Sequence, residues 1–189
     1  MEQKLNLAPQ AQSQAAVPIS HVVFSHGKES GPFGRKIQRL IDVAAAMGLG
    51  TTSVDYRQCA TADDRVALLK ATLGRLPVPT SQVVLVGSSM GGYVSTVTAN
   101  EVPVAGLFLM APALWLSPDE YPVQVYNPLT EHIEITHGMN DDIVPYENSI
   151  SLAKKLHGIT LHLVDDDHRL SGSHDFLATH FALFLEHIK

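Results

Sequence analysis

Val83-Val84-Leu85-Val86-Gly87-Ser88-Ser89-Met90-Gly91-Gly92 is the stretch on which the reading of this chain turns. An aliphatic run suits a buried strand, Gly-x-Ser-x-Gly at 87–91 turns the chain sharply, and the residues that follow suit a helix. That order is the sequence form of a nucleophile elbow, in which the central residue, here Ser89, is held in a strained backbone conformation with its Oγ exposed. Glycine is needed at 87 and 91 because a Cβ there would collide with the neighbouring strand or helix as the turn closes. The helix that follows aims its N-terminus at the serine and favours negative charge beside it. Ser88 lies on the wrong side of the turn, and the two flanking glycines centre the motif on Ser89.

Outward from the elbow, strand-like and helix-like segments alternate. Strands are expected at residues 21–25, 51–56, 82–88, 104–110, 133–136 and 160–164, and helices at 32–47, 63–76, 90–101, 147–156 and 173–188. Residues 111–129 are irregular and proline-rich. This alternation predicts a three-layer α/β/α sandwich around a mainly parallel sheet of about six strands. Active groups in such sheets gather at the carboxyl ends of the strands. That rule selects His26-Gly27, Ser89, Pro112, residues 137–142 and residues 165–168.

A serine hydroxyl is a weak nucleophile until a base takes its proton, and the base needs an acid to fix its tautomer. Asp141 and Asp142 compete as the acid; spacing favours Asp141, while Asp142 suits a turn before Pro145. His168 and His174 compete as the base. His168 directly follows the last strand, whereas His174 precedes a helix and suits a capping or surface role. Asp165, Asp166 and Asp167 read as solvated turn residues, and His26 and His137 as hydrogen-bonded histidines that shape tight turns.

These elements together resemble the α/β-hydrolase family from about Pro18 onward. The resemblance is carried by His26-Gly27 after the first strand, Gly-x-Ser-x-Gly at 87–91, and His-Gly-x-x-Asp-x-x-Val-Pro at 137–145. It implies the triad Ser89, Asp141, His168, in that chain order, with the acid four residues beyond His137. It implies an oxyanion hole made by the backbone N–H groups of Met90 and Lys28. The chain is most similar to small, lid-poor bacterial esterases and thioesterases, and its Asp-Asp-Ile-Val-Pro and Asp-His-Arg segments resemble mammalian acyl-thioesterase relatives. It departs from the family in three ways. There is no room for two antiparallel strands before Ile19, the cap shrinks to residues 111–129, and three aspartates replace a glycine-containing turn before His168. A reduced fold with a minimal cap follows.

Length and composition agree with such a domain. The chain has 189 residues, 45% apolar and 17% charged, enough to bury a core. A net charge of −6 argues against nucleic acid as a partner, and no basic amphipathic run suggests a membrane surface. Residues 1–17 read as a flexible leader without the apolar core of a signal peptide, residues 18–189 as one domain, and the location as cytoplasmic.

Cys59 is the one cysteine, so no disulfide or cysteine metal cluster is expected. The pairs His21/His26, His132/His137 and His157/His162 bracket or enter strands that hold their members apart, so no metal is expected either, and no cofactor. Trp115, Leu116, Tyr121 and Tyr126 could line an acyl or aryl pocket, or simply pack a short loop on the sheet edge. The expected activity is hydrolysis of small-molecule esters or thioesters with small or exposed acyl groups. A peptidase on the same scaffold, or a non-catalytic interaction protein retaining the fold, are the alternatives. The oligomeric state is left open.

Overall fold

The computed structural model describes residues 18–189; the expected leader lies outside them. Strands β1 (His21–Ser25), β2 (Gly50–Val54), β3 (Val83–Ser88), β4 (Gly106–Met110), β5 (Ile133–Gly138) and β6 (Ile159–Val164) form one six-stranded sheet in the order β2-β1-β3-β4-β5-β6. Every neighbouring pair is parallel. The helices are α1 (Arg35–Ala46), α2 (Ala62–Leu73), α3 (Met90–Ala99), α4 (Tyr146–Lys155) and α5 (His174–His187).

The period-two alternation of the strands sorts the core into two layers. Val23, Leu85, Leu107, Leu109, Ile133 and Ile135 face α2, α3 and α4, where they meet Leu69, Tyr93 and Leu152. Val22, Phe24, Val84, Val86, Phe108 and Met110 face α1 and α5, where they meet Leu40, Phe181 and Leu185. The sandwich therefore has α1 and α5 on one side of the sheet and α2, α3 and α4 on the other. Since β1, β3 and β4 are buried on both faces, their sequences read as continuous apolar runs rather than alternating ones.

Element ends shift by a few residues for local reasons. Helix α1 begins at Arg35 and not at 32, because Pro32 closes a turn whose carbonyl accepts the Ser53 hydroxyl at 2.5 Å. Helix α2 begins one residue early, at Ala62, behind a reciprocal capping box. The Asp64 N–H donates to Thr61 Oγ1 at 3.1 Å, and the Thr61 N–H donates to Asp64 Oδ2 at 2.9 Å. It ends at Leu73, before Gly74. A short 3₁₀ turn, Thr80–Gln82, precedes β3.

Candidate active site

Strand β3 delivers Ser89 to the carboxyl rim in a conformation that strands and helices do not use, with φ 55° and ψ −121°. Such a left-handed φ costs a non-glycine residue about 1–3 kcal/mol and persists only where the surroundings enforce it. Here they do. The Ser89 N–H donates to Met110 O at 2.9 Å, and the Ser89 carbonyl accepts from Gly92, Tyr93 and Ala113. The flanking glycines make the turn possible by close approach. A Cβ on Gly87 would lie 2.5 Å from Gly91 O, and one on Gly91 would overlap the Ser25 carbonyl and sit 2.7 Å from His26 O. Helix α3 is thus pressed against β1 at a separation that only glycine permits.

The side chains of Ser89, His168 and Asp141 form a continuous hydrogen-bonded chain. His168 Nδ1 lies 2.7 Å from Asp141 Oδ2, and His168 Nε2 lies 3.0 Å from Ser89 Oγ. A carboxylate only accepts, so Nδ1 carries the proton and Nε2 is left to accept from the serine hydroxyl. Asp142 has no part in this chain. His174, the rival base, starts α5 and lines a separate hollow with Phe33 and Arg39.

The Asp141 side chain is fully buried and accepts from four donors. The N–H groups of Ile143 and Val144 reach Oδ1 at 2.9 and 2.8 Å, and both histidines reach Oδ2. Burial alone would push this carboxyl up, but the Val144 N–H, His168 and the Ile143 N–H together hold it below its ordinary value. The second histidine is His137, at the end of β5. Its Nε2–H is shared between Asp141 Oδ2 and Val144 O, each at 3.0 Å, and its Nδ1 accepts the Ser149 hydroxyl at 2.7 Å. His137 is therefore a neutral brace on the acid, which its position in a His-Gly turn did not disclose.

The three aspartates before His168 are bonded, not merely solvated. Asp165 accepts from Asn140 Nδ2 at 2.8 Å and so joins the base loop to the acid loop. Asp166 accepts from the Asp167 N–H and the Ser173 hydroxyl. Asp167 accepts from the Arg169 N–H at 2.8 Å, an Asx turn that brackets His168. Lys36 adds a donation to Arg169 O at 3.1 Å. Gly138 lets the two loops touch, since a Cβ there would lie 2.6 Å from Asp167 O.

On the other side of Ser89, the Gly27 carbonyl accepts from His26 Nδ1–H at 2.7 Å and from buried Arg65 at 3.3 Å. In a trans peptide the C=O and the next N–H point in opposite directions. Fixing Gly27 O therefore aims the Lys28 N–H the other way. This peptide stands beside the serine: a Cβ on Gly27 would lie 3.4 Å from Ser89 Cβ. Among the described residues, neither the Lys28 nor the Met90 N–H has an acceptor. Composition and spacing gave no hint that His26 and Arg65 orient this loop. Lys28 Nζ, read as solvated, pairs with Glu120 at 2.6 Å on an exposed edge.

A cleft of about 880 Å³ opens beside this loop, lined by Lys28, Tyr56, Arg65, Met90, Ser117 and Glu120. The aromatic residues of the proline-rich segment do not line it. Tyr121 and Tyr126 are buried and pack edge-on against Tyr93 of α3, with ring centroids 5.1 and 6.3 Å away. Trp115 packs on Tyr126 and donates Nε1–H to Gln124 O at 2.9 Å, and Leu116 joins the same core. These four residues thus fold the segment down onto α3, the packing alternative of the two readings.

The buried histidines carry a consequence for stability. His26 Nε2 accepts the Tyr56 N–H at 3.0 Å, so neither His26 nor His137 can gain a proton without losing a hydrogen bond. Burial lowers the pKa of both, and of His21, His162 and His174. Below about pH 6.5 the unfolded chain binds protons that the folded one refuses, so stability is full above that value and is lost as pH falls. Glu134, pushed up to about 7 by burial, works in the opposite sense over the same range, but one carboxyl opposes five imidazoles. The melting temperature is expected to drop by about 5 °C or more between about pH 7.5 and about pH 5.5. A flat or rising profile in a calorimetric pH series would contradict this account.

No protein-family model matches the chain, and no curated protein does. Solved structures do. A protein of Xanthomonas campestris pv. campestris, assigned to the alpha/beta hydrolase superfamily, is 30% identical over 89% of this chain and 99% of its own, with a TM-score of 0.73. A serine hydrolase without a lid, from Xanthomonas campestris, is 17% identical over 93% of this chain and 85% of its own, with a TM-score of 0.73. An esterase from Exiguobacterium antarcticum is 14% identical over 89% and 92%, with a TM-score of 0.71. The last two likenesses speak for the fold alone. The first, with its identity extending over nearly the whole of both chains, carries the assignment: this chain belongs to the α/β-hydrolase superfamily.

Proposed function

We propose that the protein hydrolyses carboxylic esters or thioesters through an acyl-enzyme formed on Ser89. The observation that carries this reading is the unbroken chain from Ser89 Oγ through His168 to Asp141, at 3.0 and 2.7 Å. Ser89 Oγ attacks the acyl carbonyl while His168 Nε2 takes its proton. The carbonyl oxygen gains the negative charge, which the Met90 and Lys28 N–H groups receive together with the N-terminus of α3. Collapse breaks the bond to the leaving alcohol or thiol, which takes the proton from His168. Water then attacks the acyl-serine by the same route and releases the acid. Asp141 holds His168 in the competent tautomer throughout.

The substrate range is argued from the segment 111–129. With Tyr121 and Tyr126 committed to the core, nothing in that segment builds a deep acyl tunnel, and the adjoining cleft is open, with the charged side chains Lys28, Arg57, Arg65 and Glu120 on its walls. Small or exposed acyl groups suit such a site better than long lipid chains.

The test combines a fluorophosphonate probe with a substrate panel. The native protein is expected to label at Ser89 and to turn over short nitrophenyl esters or short acyl thioesters in preference to long-chain ones and to aminopeptide amides. Absence of labelling would favour a binding protein, and preference for the amides a peptidase.

A further inference from the structure

We infer that Glu134, His162 and His180 form a binding site for a divalent first-row transition-metal ion, on the face of the sheet that α5 covers. The three residues come from β5, β6 and α5, against the expectation of no metal. The histidine pairs close in sequence do stay apart. The cluster arises instead from register. His162 stands level with Thr136 on the neighbouring strand, one pleat from Glu134. Ile133, Ile135 and His137 face α4, so Glu134 faces the other way, toward α5, where His180 projects from the second turn.

The distances suit a metal centre. His162 Nε2 lies 3.1 Å and His180 Nδ1 3.6 Å from the same oxygen, Glu134 Oε1, and all three ligand atoms fall within 4.8 Å of one another. A tetrahedral ion with bonds of about 2.05 Å separates its ligand atoms by about 3.3 Å, so a small rotation of half-exposed His180 closes the set. Two imidazoles and one carboxylate select Zn²⁺, Co²⁺, Ni²⁺ or Cu²⁺ over the hard cations Mg²⁺ and Ca²⁺. Three protein ligands leave one coordination position for water.

The surroundings also favour a cation. Glu134 is only 8% exposed and has no lysine or arginine partner among the described residues, so a negative charge on it would be poorly compensated without a cation. Phe176 packs against both imidazoles, with its ring centroid 4.1 Å from that of His180 and 5.3 Å from that of His162. Thr136, on the same face as Glu134 and level with His162, has a buried hydroxyl without a partner. A metal-bound water is the kind of group such a hydroxyl would meet. The bound ion would tie α5 to the edge strand β6.

The test titrates the full-length protein, stripped with a chelator, with Co²⁺ and then Zn²⁺. One equivalent of Co²⁺ is expected to give the visible absorption of a four-coordinate site, which Zn²⁺ then bleaches. Zn²⁺ at about a hundredfold above its Kd is expected to raise the melting temperature by about 5–10 °C. His180→Ala and Glu134→Gln should each weaken binding at least about tenfold; the first removes a half-exposed ligand and the second keeps the side-chain shape. His132→Ala combined with His187→Ala, which removes the other close pair of histidine rings among the described residues, should leave binding intact. No stoichiometric uptake, native affinity in both His180→Ala and Glu134→Gln, or loss of uptake in the His132/His187 variant would each overturn the site.

Discussion

Ser89→Ala is expected to reduce ester or thioester turnover by about 10⁶-fold and to abolish fluorophosphonate labelling while leaving the fold intact. The oxygen removed makes one side-chain hydrogen bond, to His168, and its loss leaves that ring only partly buried, so stability should stay within about 1 kcal/mol of wild type. The main-chain bonds that enforce the positive φ at this position do not involve Oγ and remain. Residual hydrolysis would be that of the oxyanion donors and binding alone. Steady-state kinetics with a sensitive thioester or nitrophenyl ester, alongside circular dichroism, reads both halves. A folded Ser89→Ala protein that keeps a tenth of native turnover would show that some other residue is the nucleophile.

Asp141→Asn should cost about 10⁴-fold in kcat, and for a reason that also reaches stability. The carboxylate oxygen Oδ2 accepts from His168 and His137 together, while Oδ1 takes the Ile143 and Val144 N–H groups. An amide has one oxygen, and the two main-chain donors hold it. Its NH₂ group then faces both rings. His168 can answer only by moving its proton to Nε2, which turns the proton acceptor beside Ser89 into a donor. His137 cannot follow without turning a bare nitrogen toward Val144 O. A buried group left without its partner costs about 1–3 kcal/mol, so the melting temperature should also fall by several degrees. His137→Gln separates the two effects: it should destabilise by a similar amount and lose far less activity, because His168 keeps its carboxylate. Equal kinetic losses in the two variants would place His137 in the chemistry itself.

The layer order and the three side chains that meet as Ser89, His168 and Asp141 were legible because each depends on local pattern. Apolar runs of strand length, helical stripes and a glycine-framed serine do not need knowledge of distant contacts. Asp141 was distinguished from Asp142 by spacing within one loop, and the structure gives the physical basis: only Asp141 reaches back to cap the Ile143 and Val144 N–H groups. Harder to read were side chains whose partners lie on other elements. Asp165 looks like any turn aspartate until Asn140, from the loop after β5, meets it. Arg65 looks like an ordinary helix-surface cation, yet it is only 5% exposed, grips the carbonyls of the loop after β1, and lies over the Tyr56 ring. Tyr121 and Tyr126 sit in a proline-rich segment that suggests a lid, and only the apolar shoulder of Tyr93 shows why they turn inward. The capping box at Thr61 and Asp64 is legible in principle as Thr-x-x-Asp, and it sets the helix start at Ala62, one residue before the apolar stripe suggests.

Strand β5 has a consequence for how this sequence can vary. Its odd-numbered residues end in His137, which steadies the acid from the α4 side, and its even-numbered residues carry Glu134 and Thr136 toward α5. A single inserted or deleted residue within β5 would send each set to the opposite face. His137 would leave Asp141 and Ser149, and the buried carboxyl would enter the apolar layer beside Leu152. The five-residue stretch from Ile133 to His137 should thus accept exchanges of side chain far more readily than changes of length, although it lies one strand in from the open edge of the sheet.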